Sequence, residues 1–402
     1  MRWLLTVILV LGLTMFGMAC QGEKEEKGKA TATPAATATR AATTTPAATA
    51  TRAATTTPAA TAAASPTAIA GAPDLAPGWT KIEPGGETIC SRGTPFAYFV
   101  HPGTVNRLVV YFQGGGACWD DKTCSLTGIF KETADDSDNP AQAAEGILDL
   151  ENPENPFKDW FFVFIPYCTA DIHWGNNTHT YTSGGQDLVI QHEGFVNFSA
   201  VLDWIQANFE KPEKVFVSGC SAGSYGSIMA APHIQELYPN VPLYQLGDAG
   251  AGVSTDDFLQ NSYPNWNTSD SRPTWIPAPG GSWDAVSSLA DLYIAVANYY
   301  PNDRWSQYNA AHDQIQTLFY SATGGADDWN KLMLASMQEI EDSAPNFHSY
   351  TAPGEIHCIT GDDIFYTREV NGVRFRDWVE AMVNDKAWDD VMCADCETDP
   401  EG

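Results

Sequence analysis

Gly219-Cys220-Ser221-Ala222-Gly223 narrows what this chain can fold into more than any other stretch of its 402 residues. Residues 214–218, Lys-Val-Phe-Val-Ser, are rich in β-branched and aromatic side chains without a turn former, and they read as a short buried strand. From Gly223 through Ile228 and Met229 to Leu237 the pattern predicts a helix. A Gly-x-Ser-x-Gly between a strand and a helix is a nucleophile elbow. The turn is too tight for side chains on either side of a strained serine, so glycine is required there. The pentapeptide alone occurs by chance in many chains. Its strand–turn–helix setting, and a second motif upstream, make Ser221 the candidate nucleophile.

That second motif, Gly114-Gly115-Gly116, follows another clear strand at residues 107–112, Arg-Leu-Val-Val-Tyr-Phe. A glycine run there leaves bare N–H groups to point at a substrate oxygen, and the N–H after the nucleophile adds another donor. Gly115, Gly116 and Ala222 are therefore the candidate oxyanion-hole donors. A lone glycine triplet reads as an ordinary turn, but this one precedes the elbow by about the distance an α/β-hydrolase requires. The expected fold class is α/β, of the α/β-hydrolase type: a central, mostly parallel sheet flanked by helices, with insertions between strands.

These motifs do not stand alone. Gly114 to Trp119, Pro166-Tyr167-Cys168-Thr169-Ala170-Asp171, the elbow, Asp248-Ala249-Gly250, Tyr308-Asn309-Ala310-Ala311-His312-Asp313 and His357-Cys358 are spread in order over residues 86 to 360. Together they resemble the pectin acetylesterase family, which also contains the secreted Wnt deacylase Notum. The resemblance implies serine-dependent ester hydrolysis with no cofactor and no metal. It also implies disulfides Cys90–Cys168 and Cys118–Cys124; with Cys220 paired to Cys358, these leave Cys393 and Cys396 to each other. One departure is Ala117, where the family often has an aromatic within or just after the glycine run, so the shape of the acyl pocket stays open.

The chain order in this fold is serine, acid, histidine. Of eight histidines only His312, His348 and His357 follow Asp248. His348 lies in residues 346–350, which read as the last strand, and His357 follows in the loop where the base belongs. Asp313 follows a candidate strand at residues 304–308 and matches the family's acid, so it stands first. Asp248, after a strand one crossover earlier, and Asp303, in a surface turn, remain alternatives. Cys220 and Cys358 are the immediate neighbours of the nucleophile and base candidates. A working pair must come within hydrogen-bond reach, which brings those neighbours close enough to bridge. Tannase-like and feruloyl esterases carry a similar arrangement; the competing reading is a buried free thiol at Cys220. Trp119 and Tyr225 are candidate substrate-binding residues. His173, Trp174 and His192 also lie beside motif residues, though core or rim packing accounts for any of these aromatics as well.

The N-terminus carries Arg2, an apolar run from Trp3 to Met18, then Ala19-Cys20. This predicts a secretory signal over residues 1–20 of lipoprotein type, with Cys20 lipidated; a simple signal cut nearby is the alternative. Within residues 21–73 a twelve-residue repeat of Thr, Ala and Pro with a single Arg carries no large apolar side chain, the composition of a disordered tether. One hydrolase domain is expected over residues 74–402. The formal charge of −29 leaves no basic stripe for nucleic acid and disfavours a polyanionic substrate such as demethylated pectin. Acidic clusters such as Asp135-Asp136-Ser137-Asp138 lack calcium-loop spacing and read as a solvated face. Nine cysteines less Cys20 leave eight, which in an exported chain points to disulfides.

The expectation is an extracytoplasmic bacterial lipoprotein, monomeric, removing acetyl groups from an acylated polysaccharide or a small ester. A carboxylesterase for longer acyl or feruloyl esters is one alternative. A non-catalytic glycan-binding lipoprotein on the same fold is the other.

Overall fold

The structure is a computed structural model that describes residues 69–283 and 288–397. The expected signal, the lipidated Cys20 and most of the tether lie outside the described residues. Ile69, Ala72 and Leu75 pack on the core of the folded domain, and Gly71 O accepts from Glu210 N. Among the described residues no helix is long and apolar enough to cross a membrane.

The sheet is built from β1 (Thr80–Ile82), β2 (Tyr98–His101), β3 (Leu108–Phe112) and β4 (Phe161–Ile165), then, after a separate hairpin of β5 (Asn177–Ser183) and β6 (Gln186–His192), from β7 (Val215–Cys220), β8 (Leu243–Asp248), β9 (Arg304–Ala310) and β10 (Phe347–Ala352). A second small hairpin, β11 (Glu369–Val370) and β12 (Val373–Arg374), precedes β13 (Val391–Met392). Nine strands align in the order β1-β2-β4-β3-β7-β8-β9-β10-β13. β2 runs antiparallel to both β1 and β4; every pairing from β4 to β13 is parallel. β10 is therefore not the last strand, as the sequence suggested, because β13 pairs outside it.

Central strands β3, β4, β7 and β8 are buried at every residue. This is why β3 and β4 read as continuous apolar runs without alternation: both faces are covered. Phe198, Ile228, Val296 and Met337, from the helices Gly194–Asn208, Ala222–Leu237, Leu289–Tyr299 and Trp329–Ser343, share one core. Phe216, Tyr308, Tyr350 and Trp378 belong to the other, closed by the helix Phe375–Val383. The neighbours β3 and β7 end together, Phe112 paired with Gly219, so the glycine run and the elbow emerge side by side. Parallel sheets place their sites at the carboxyl ends of strands.

In the acidic cluster Asp135, Asp136 and Ser137 are exposed, as a solvated face requires, and Asp138 alone departs from it. Asp138 is buried, bonded to Lys131 Nζ, Gln113 Nε2 and the Asp135 N–H, and it steadies the residue just before the glycine run.

Candidate active site

Ser221 caps the helix Ala222–Leu237 with φ 56° and ψ −120°. A non-glycine residue held there costs on the order of 1–3 kcal/mol and persists only where its surroundings over-determine it. They do so here. Ser221 N–H donates to Asp248 O at 2.8 Å. A Cβ on Gly223 would lie 2.0 Å from Phe112 O, and one on Gly114 would lie 2.6 Å from Cys220 O. The elbow and the first glycine of the run are thus fitted to each other through bare backbone.

The glycine run divides. Gly116, at φ 76°, lines a cavity together with Ala222, Ser221 and His357. Gly115 faces the Tyr167 ring, where an added Cβ would lie 2.6 Å from the ring carbon Cδ1, and its carbonyl accepts from Lys131 N–H. It does not line that cavity.

His357 Nδ1 lies 2.8 Å from Asp313 Oδ2. Asp313 is fully buried and caps the helix Gln314–Ala322, so its carboxylate is fixed by the backbone as well as by its partner. The Asp313 acceptor makes Nδ1 the protonated ring nitrogen and leaves Nε2 as an acceptor. Nε2 has no hydrogen-bond partner among the described residues. The two alternative acids are engaged elsewhere. Asp248 Oδ2 accepts from Ile359 N, Thr360 N and Thr360 Oγ, at 2.9, 2.7 and 2.6 Å, and so clamps the turn just after His357. Burial pushes the Asp248 carboxyl above the usual range. Asp303 is buried rather than in a surface turn. It sits before β9, at the opposite end of the strand from Asp313, and accepts from Leu243 N.

Cys220 and Cys358 are bridged, with Cα atoms 5.6 Å apart, so Cys220 is not a free thiol. The pairs Cys90–Cys168, Cys118–Cys124 and Cys393–Cys396 are bridged as well. Trp119, Tyr225 and Trp174 line the cavity. His173 and His192 do not: His173 Nε2 bonds Gln113 O, and His192 bonds Tyr181 and Thr169 O. Burial lowers the pKa of His173 to about 4 and of His192 to about 3.

The cavity, about 170 Å³, takes much of its wall from the segment between β8 and β9. Phe258, Tyr263 and Trp266 of that segment line it with Trp119 and Phe319, forming an apolar cluster distinct from the two cores.

The region from residue 82 to 269 matches the family model described as pectinacetylesterase. Curated relatives include palmitoleoyl-protein carboxylesterase notum1' of Xenopus laevis, 28% identical over 40% of this chain and 34% of its own length. Pectin acetylesterase 11 of Arabidopsis thaliana is 26% identical over 44% of this chain and 45% of its own. The matches thus span a third to just under half of those relatives. The solved Wnt deacylase Notum from Drosophila aligns with TM-score 0.56 at 13% identity, covering 77% of this chain and 94% of that one, a likeness of fold. The matched region holds the glycine run, the elbow and Asp248, and it ends before Asp313 and His357.

Proposed function

We propose that this chain is a serine carboxylesterase in which Ser221, His357 and Asp313 act as nucleophile, base and orienting acid. The observation that carries the proposal is the 2.8 Å contact of His357 Nδ1 with Asp313, which leaves Nε2 unpaired beside the cavity that Ser221 also lines. Ser221 Oγ passes its proton to His357 Nε2 as it bonds to the ester carbonyl carbon. The oxyanion takes hydrogen bonds from the N–H groups of Gly116 and Ala222. Collapse breaks the ester C–O bond, and the alcohol leaves with the proton from Nε2. Water, deprotonated by the same nitrogen, then releases the acid and restores Ser221. Four disulfides suit an oxidising compartment, in keeping with an exported, lipid-anchored enzyme on a tether.

The pocket favours an acyl group longer than acetyl. Ala222, Tyr225 and Met229 line it along one face of their helix. Seven residues of rise give about 10 Å of depth, the length of an extended chain of about eight carbons. Its volume agrees: a dry cavity of about 150 Å³ holds benzene, with six carbons, and this one has about 170 Å³. A polysaccharide deacetylase is the second reading, favoured by the similarity to a plant pectin acetylesterase. The test is labelling with a fluorophosphonate, then kcat/KM for nitrophenyl esters from acetyl to dodecanoyl, with acetylated pectin and xylan alongside. Labelling at Ser221 and an optimum near eight carbons are expected. An optimum at acetyl with release from a polymer selects the second reading; an unlabelled Ser221 removes both and leaves a glycan-binding protein.

A further inference from the structure

Gln316 is a buried neutral side chain that the mechanism above does not use, and it lies where the acid meets the cavity wall. Its Nε2 donates to Asp313 Oδ2 at 3.0 Å, the same oxygen that receives His357 Nδ1, and to Asn309 Oδ1 at 3.0 Å. Its backbone N–H donates to Asp313 Oδ1 at 2.9 Å. The orientation of the amide is not free. Oε1 accepts from Ala251 N–H at 2.7 Å, and a backbone N–H can only donate, so the oxygen must face Ala251 and the nitrogen must face the carboxylate. Asn309 is itself oriented by a bond from its Nδ2 to Gln307 Oε1.

These bonds close a circuit behind the nucleophile. Ser221 N–H is held by Asp248 O, and three residues further on Ala251 N–H holds Gln316. Gln316 then holds Asp313, and Asp313 holds His357. A carboxylate can rotate about its bond to Cβ, and helix capping fixes only one of its oxygens. The Gln316 side chain fixes the other.

Resting on the esterase reading above, we propose that Gln316 is a positioning residue for the acid–base pair. Its amide orients the Asp313 carboxylate toward His357 and tempers the negative charge that the imidazole meets. The neighbouring titratable groups stay in place when Gln316 is replaced. They are Asp248, whose charge acts on His357, and Tyr225 and Tyr308, which feel Asp313. His312 and Glu355, on the flanking segments, are engaged with Glu397 and Gln314.

The sign of the effect follows. Without the Gln316 donor, Asp313 Oδ2 stabilises the protonated imidazole more strongly, so a higher pH is needed to free Nε2. Gln316→Leu should lower kcat on nitrophenyl acetate about ten- to a hundredfold with KM changed less than about threefold. The acidic limb of kcat/KM should move up by about half a pH unit. Gln316→Glu keeps an acceptor for Ala251 and so guards against failure to fold. It places a second carboxyl against Asp313, and should move that limb further up, by about one unit or more. Rates are taken per site titrated with fluorophosphonate. A limb unmoved in both variants, or a loss that vanishes once expressed per titrated site, overturns the proposal while the esterase reading stands. A wild-type Ser221 that takes no label removes the reading beneath it.

Discussion

Replacing both Cys220 and Cys358 by alanine tests how the elbow and the base loop are held together. The bridge spans 138 residues, and chain entropy assigns such a loop about 5 kcal/mol of stabilisation, an upper bound when the unfolded chain retains structure. No other bridge shortens that loop: Cys90–Cys168 and Cys118–Cys124 lie before it and Cys393–Cys396 after it. Native stabilities run about 5–15 kcal/mol, so the loss is a large fraction of the whole. Turnover should suffer less, because the Asp248 carboxylate still clamps Ile359 and Thr360 with three hydrogen bonds. Urea unfolding followed by tryptophan fluorescence should show the midpoint falling by about 1 M or more at the slope expected for a domain of this size. Turnover of the folded fraction should stay within about tenfold of wild type. A midpoint within about 0.3 M of wild type refutes the loop argument. So does recovery of Cys220 as an alkylated thiol from the unreduced protein.

Asp313→Asn should cut turnover about ten-thousandfold by favouring the wrong imidazole tautomer, with the fold intact. Asp248→Ala should instead destabilise by about 3 kcal/mol, since it strands the buried donors of Ile359 and Thr360. If the Asp248 variant is fully stable but as inactive as Asp313→Asn, the acid is misassigned. Burial raises Asp303 from 3.8 to about 7, so the folded state keeps a proton that the unfolded state releases, and wild-type stability from this group falls as pH rises from about 4 to 7. Asp303→Asn cannot titrate, and should gain on wild type by about 3 kcal/mol between pH 4.5 and 8 in urea midpoints; an equal difference at both pH values disproves the assignment.

Local geometry decides which parts of the site were legible. The elbow could be read because flanking backbone excludes any Cβ at Gly219 and Gly223, so the constraint is written in residue identity. The acid was harder: Asp248, Asp303 and Asp313 all flank strands, and composition ranks none of them. Strand direction carried a usable signal. Asp303 precedes β9 and Asp313 follows it, and only the carboxyl end of a parallel strand faces the elbow. Gln316 was missed, although it lies three residues after the helix-capping Asp313, a spacing that could have drawn attention to it. Asp248 was not, because what marks its role is the turn at Ile359 and Thr360, more than a hundred residues away.

The cavity marks a different limit. Met229 lies on the same helix as Ile228, yet one lines the cavity and the other is fully enclosed by the core. Both are apolar, so neither identity nor helical period separates a wall from a core. What separates them is the segment containing Phe258, Tyr263 and Trp266, which packs against Trp119 beside the glycine run. Trp266 Nε1 donates to Cys118 O, and Asn265 Nδ2 donates to Trp119 O. The segment is thereby pinned to the strand end that carries Gly116. The pocket exists because an insertion is tied down at its far side by backbone carbonyls of the Cys118–Cys124 loop. On the esterase reading proposed above, acyl length therefore depends on where those bonds hold the insertion, and Ser221, His357 and Asp313 alone leave it open.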